Sequence, residues 1–282
     1  MAGKMITVIE ARPKTLAARL LALWRYRAFY SFLFQEISMK KFRDTALGVW
    51  WLILRPLIPT SITIVIFTFL APMQSMGLPY AIFFLSGFIS WNMFQSTIIF
   101  MPRTLLWMQG IMRRTYFPKL LVPFASVGPP LLELLVVLSL FVLSVVYFGI
   151  RGHFHMPWEP QLLLFPICIF LSLTFGFAVG TVLSVVAVFF RDVVFSVGYF
   201  AQVLMFLTPV IYPMTFVPAN YRWIIYALNP MAQVVEVSRW SLTGVGEFQP
   251  YFFLLASVTI FIAFALSIAF FLRAETFLAD EM

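Results

Sequence analysis

The chain has 282 residues, of which 62% are hydrophobic, 18% aromatic and 11% charged, with a formal net charge of +8. Soluble domains carry about 25% charged residues, so the composition excludes an ordinary soluble domain. A single cysteine, Cys168, excludes an internal disulfide, and orientation in a membrane with anionic lipid accounts for the basic excess without nucleic acid.

In chain order, residues 1–46 form a basic segment without the compact apolar core and small-residue ending of a cleavable leader. Within it, "TLAARLLALWRYRAFYSFLFQEISMKKFR" (15–43) mixes Arg25, Arg27 and other cations with Leu, Trp, Tyr and Phe. It reads as a helix lying in the membrane interface. Arg55 and Arg103 then bracket 47 uncharged residues. A spanning helix needs about 20 apolar residues, so this run holds two helices with a turn at "APMQSMGLP" (71–79). Six spans are predicted near 48–70, 80–101, 120–148, 161–189, 194–211 and 249–272, giving a membrane domain at 47–273 and a tail at 274–282. The fold class is an all-α integral membrane protein. Fifteen basic residues fall on the side of the termini and three (Arg151, Arg222, Arg239) on the other. Both termini are therefore expected in the cytoplasm.

Glu133, in "PPLLELLVV", is the one charge of the third span and is expected on the order of 20 Å deep. There it either lines a path or packs against a hydroxyl or amide of a neighbouring helix. Ser172, Gly176, Gly180 and Ser184 recur every four residues along the fourth span, a stripe that lets helices approach closely. It suits packing within the protomer or a seam between two copies. After the fifth span, "FLTPVIYPMTFVPANYRWIIYALNP" (206–230) is apolar yet carries Pro209, Pro213, Pro218 and Pro230. Proline breaks helices, so 212–248 is expected as short re-entrant or outer-surface helices. Glu236 and Arg239, three residues apart, are expected to pair near the outer interface, where such a pair contributes little.

Catalytic signals are absent. The sequence has no G-x-x-x-x-G-K-[ST] and no H-E-x-x-H. His153 and His155 have no third histidine or further cysteine to complete a metal site, so no metal is expected. Aromatic residues are numerous, and most belong to interfacial belts. A subset suits stacking on sugar faces along a sliding path: Trp50 and Trp51 at the start of span one, and Tyr199, Phe200, Phe206 and Tyr212 along span five. Glu133 joins them as a lining residue.

Four motifs in order, "ALGVWWLILRPLIP" (46–59), "RRTYFPKLLVP" (113–123), "FRDV" (190–193) and "TPVIYP" (208–213) leading to "VPANYRWIIYALNPMAQVVEVSRWSL" (217–242), resemble the permease subunit of type-2 ABC transporters. The resemblance is to exporters of cell-surface polysaccharide such as O-antigen, teichoic acid or capsule. Arg55 departs from the neutral or polar residue expected there. The resemblance implies six spans after an interface helix and short outer-leaflet gate helices between spans five and six. It further implies a homodimer with two cytoplasmic ATPase subunits, in a bacterial inner membrane. ATP and Mg would bind the ATPase, with no cofactor on the permease itself. A lipid-linked polysaccharide would pass through a channel at the permease dimer interface. The basic loop 101–119, with Arg103, Gln109, Arg113 and Arg114, stands where ATPase coupling is expected, together with Arg25 and Arg27. Two other functions stay open: a permease of the same architecture for a small lipophile or drug, and a membrane enzyme acting on polyprenyl-linked sugar.

Overall fold

The computed structural model describes residues 26–43, 46–115 and 117–281. These residues are helical almost throughout. Helix α1 (Arg27–Arg43) precedes α2 (Trp50–Val65), which continues through a wider turn over Ile66–Leu70. Then come α3 (Tyr80–Arg114), the short α4 (Leu121–Ala125) and α5 (Gly128–Ile150). A tight turn at Pro160–Leu163 leads into α6 (Leu164–Phe189), followed by α7 (Asp192–Leu207). Two short helices, α8 (Ala219–Leu228) and α9 (Pro230–Thr243), stand before the final α10 (Pro250–Glu281).

Five helical stretches among the described residues are long and apolar enough to cross a membrane: 50–70, 80–114, 121–150, 160–189 and 250–275. The fifth predicted span, 194–211, is shorter than expected. Helix α7 has 16 residues, on the order of 24 Å against a hydrocarbon core of about 30 Å. It stops at Thr208, one residue before Pro209, as the residue ahead of a proline disfavours helix. The second span is instead longer than expected. Its 35 residues reach on the order of 52 Å, so 101–114 is a helical extension of α3 rather than a loop.

Helix α3 is the centre of the bundle and is buried over nearly all of 80–105. It packs against α6, α5, α9 and α7. The small-residue stripe serves the closest of these contacts, within the protomer. A Cβ on Gly176 would lie 2.8 Å from Thr97 Cβ, and one on Gly180 3.0 Å from Met101 Sδ. Helix α1 joins the bundle through Leu33 and Ile37, one turn apart, which are buried with Met108, Met112, Phe117 and Leu120. Gly128, at the start of α5, leaves room for Ser38 and Phe34 of α1.

Candidate functional site

Two constellations of polar side chains lie within the apolar bundle. The first explains the prolines. Pro209 and Pro213 have no N–H and interrupt the chain after α7, leaving carbonyls without helical partners. Arg239 supplies the missing donors. Its Nη2 donates to the carbonyls of Pro209 (2.7 Å) and Val210 (3.1 Å). Nε donates to Phe83 O at 3.3 Å, and Nη1 to Glu236 Oε1 at 2.6 Å. The guanidinium also lies 4.0 Å from the centre of the Phe83 ring. Both charged residues are buried, Arg239 at 0% exposure and Glu236 at 1%. The expectation of an outer-surface pair is therefore corrected. A spacing of three fixes the pairing, but the broken backbone of 208–211 draws the pair inward.

Local sequence builds the frame around this lock. Asn229 caps α9 by accepting from the Met231 N–H (3.1 Å), and its amide donates to Thr208 Oγ1 at 2.8 Å. Pro230 occupies the first helical turn, where its missing N–H costs nothing. Gly244, at φ 72, ends the helix in the left-handed conformation. Ser238 donates to Ser86 O at 3.0 Å, and Tyr80 to Ile211 O at 3.0 Å. Gly87 makes the approach possible, since a Cβ there would lie 2.8 Å from Arg239 Nη2. Arg222 of α8 is more accessible and donates to Glu247 Oε1 at 3.0 Å and Val217 O at 2.9 Å.

The second constellation is a groove of about 280 Å³ with α3 as its floor and α2 and α7 as its walls. Arg55 Nη1 donates to Glu133 Oε1 at 3.2 Å, and the guanidinium lies 4.9 Å from the Phe100 ring. Glu133 thus has an arginine of the neighbouring α2 among its partners. Glu133 is in the second turn of α5, and from the start of the 121–150 stretch it lies on the order of 18 Å in. Beyond the pair, Ser96, Gln95, Asn92, Thr60 and Thr63 line the groove, with Gly198, Gln202 and Met205 opposite. Phe84 to Ile99 of α3 run along it, on the order of 22 Å of helix.

A separate apolar cavity of about 700 Å³ lies on the other side of α7, against α3, α6 and α8. The predicted aromatic residues are thus divided among several surfaces. Phe200 and Tyr212 line this cavity. Tyr199 and Phe206 stand on the exposed face of α7 with Phe195. Trp50 and Trp51 are exposed at the start of α2. Glu133 alone of the channel set lies in the polar groove. Within one protomer these residues do not share a wall.

The residues expected at an ATPase surface are better gathered. Arg103, Gln109, Arg113 and Arg114 lie on the extension of α3, and Arg27 begins α1. The two segments share one apolar cluster, with the Phe29 and Phe117 rings 4.9 Å apart. Arg25 lies outside the described residues. Among the described residues no group of three His, Cys, Asp or Glu could hold a metal ion.

The groove residues were legible as a pattern that charge counting overlooks. Phe88, Asn92, Gln95 and Ile99 recur at helical spacing along one stripe of α3.

A family model for ABC-2 type transporters matches residues 28–243. The chain is 26% identical over 215 residues to the O-antigen export system permease protein RfbA of Myxococcus xanthus, covering 76% of this chain and 79% of that protein. It is 24% identical over 195 residues to the O-antigen export system permease protein RfbA of Klebsiella pneumoniae, covering 69% and 72%.

Proposed function

Because the chain belongs to the ABC-2 type transporter family, we propose that it is the permease subunit of an ATP-driven exporter of lipid-linked polysaccharide such as O-antigen. It would carry the polymer from the cytoplasm to the outer face of a bacterial inner membrane, with both termini cytoplasmic. The observation that carries this reading is similarity over 76% of the chain to a protein named for O-antigen export. The chain is a transport subunit rather than an enzyme, and ATP and Mg would be handled by two cytoplasmic ATPase subunits.

The architecture supports a second copy as partner. Helices α2 and α7 flank the buried α3 yet leave long exposed faces, Tyr199 at 75% and Trp50 at 65% among them. A channel between two copies would be walled by these faces, with Tyr199, Phe206, Trp50 and Trp51 turned toward the polymer. The α8–α9 hairpin would close its outer end, held to α3 by Arg239. Helix α1 and the end of α3 would receive the ATPase through Arg27, Arg103, Gln109, Arg113 and Arg114.

The apolar cavity of about 700 Å³ favours a second reading, a permease for a small lipophile. Deletion of the gene separates the two. Loss of surface glycan with polymer trapped inside the cell supports polysaccharide export. Unchanged surface glycan refutes it.

A further inference from the structure

Buried polar groups almost always have hydrogen-bond partners, and each exception needs a reason. Among the described residues, Thr60 Oγ1 and Asn92 Nδ2 are buried without one. Thr60 is 3% exposed and Asn92 8%. Both line the same groove, Thr60 from the α2 wall and Asn92 from the α3 floor. At membrane depth an unmade hydrogen bond is costly, so two in one narrow space indicate a ligand that completes them.

The shape of the groove limits that ligand. It is narrow, about 280 Å³, yet follows on the order of 22 Å of α3. A compact solute would not use its length, whereas an extended chain would. The polar lining of the groove is Arg55 beside Glu133, then Gln95, Asn92, Thr60 and Thr63, set between apolar stretches at Phe84, Phe88 and Ile99. The Gln95 carbonyl is taken by Trp91 Nε1 at 3.0 Å, which turns its amide donor free of that bond. Such a surface matches hydroxyl groups, which both donate and accept, better than it matches an acyl chain.

We infer that this groove is a hydrogen-bonding track for an extended hydroxylated glycan, with Thr60 and Asn92 contacting it directly. The inference rests on the polysaccharide-export reading and deepens it. The track grips the polymer by polar contacts inside each protomer, in addition to aromatic faces. Removing the two orphan groups costs the fold nothing, because replacing an unpaired buried polar group by an apolar one of similar shape is neutral or stabilising.

The test uses the full chain in cells together with its ATPase. A photo-crosslinking amino acid at Gln202, which faces the groove from α7, captures glycan during export. The same group at Tyr251, exposed at the start of α10, does not. Thr60→Val and Asn92→Leu each lower capture at Gln202 by about fivefold, the worth of one hydrogen bond. Melting temperature and copurification of two tagged copies stay unchanged or rise, and Thr60→Ser restores capture. If the wild type exports glycan normally but none is captured at Gln202, the track is wrong while the export reading stands. Variants that melt lower or lose self-association also overturn it, because the groups would then be packing contacts. A deletion strain with normal surface glycan refutes the export reading itself.

Discussion

Replacement of Arg239 by methionine is the most searching test of how the broken backbone after α7 is held. Methionine keeps much of the buried volume but removes every donor. Glu236 would keep a buried carboxylate without its 2.6 Å partner, and breaking a buried pair in this way costs about 3–5 kcal/mol. The carbonyls of Pro209 and Val210 would lose their donor as well, at about 1 kcal/mol or more each. The sum, on the order of 6 kcal/mol, is comparable to the whole net stability of a domain at about 5–15 kcal/mol. For a chain of this size it lowers the melting temperature by more than about 10 °C. The double variant Arg239→Met/Glu236→Leu removes the stranded carboxylate and recovers more than half of the loss, since only the carbonyls stay unpaired. Thermal unfolding of purified protein and protease resistance of 206–249 measure both. A single variant melting within about 2 °C of wild type would refute the claim that this arginine holds the broken backbone.

Other outcomes follow from particular contacts. Gly176→Ala forces a Cβ to 2.8 Å from Thr97 Cβ and destabilises by about 1–3 kcal/mol. Gly110→Ala, with nothing within 4 Å, is neutral or stabilising by up to about 1 kcal/mol; equal losses at the two sites in thermal unfolding would contradict the packing described. Arg113→Glu with Arg114→Glu reverses charge at the exposed end of α3, and copurification of the ATPase should fall while the permease still reaches the membrane. Unchanged assembly and export would remove that surface from consideration. In a Cys168→Ala background, His155→Cys and Tyr221→Cys, both exposed, should react with an impermeant thiol reagent added outside intact cells or spheroplasts. Reaction from the cytoplasmic side alone would invert the topology.

Much of the fold was legible because apolar runs between charges mark helices, and helices in a membrane satisfy their own backbone. The turn at 71–79 lies where the 47-residue uncharged run required it, and Met76 and Gly77 adopt positive φ there. The Gly176–Gly180 stripe was legible as a packing surface because its meaning is local: small residues admit whatever neighbour arrives. The charged groups were harder to read. Arg55 and Glu133 are 78 residues apart, and a hydropathy window that sees each alone offers no partner. Glu236 and Arg239 carry the spacing of an exposed pair as much as of a buried one. Their burial depends on carbonyls 29 and 30 residues upstream and on Phe83, 156 residues away.

The prolines and the arginine are therefore two halves of one device. A chain that breaks its helix inside an apolar bundle must give its freed carbonyls new donors. Lysine offers three donors on one mobile nitrogen, whereas arginine offers five on a rigid plane. At position 239 that plane reaches Pro209, Val210, Phe83 and Glu236 at once. A carboxylate at 236 neutralises the charge. The hairpin is thereby anchored to α3 through side chains rather than by a continuous helix. Ser238 donates to Ser86 O as well, and Val234, Val235 and Val237 pack in one cluster with Phe83 and Phe84, while α7 ahead of the hairpin leaves a long face exposed.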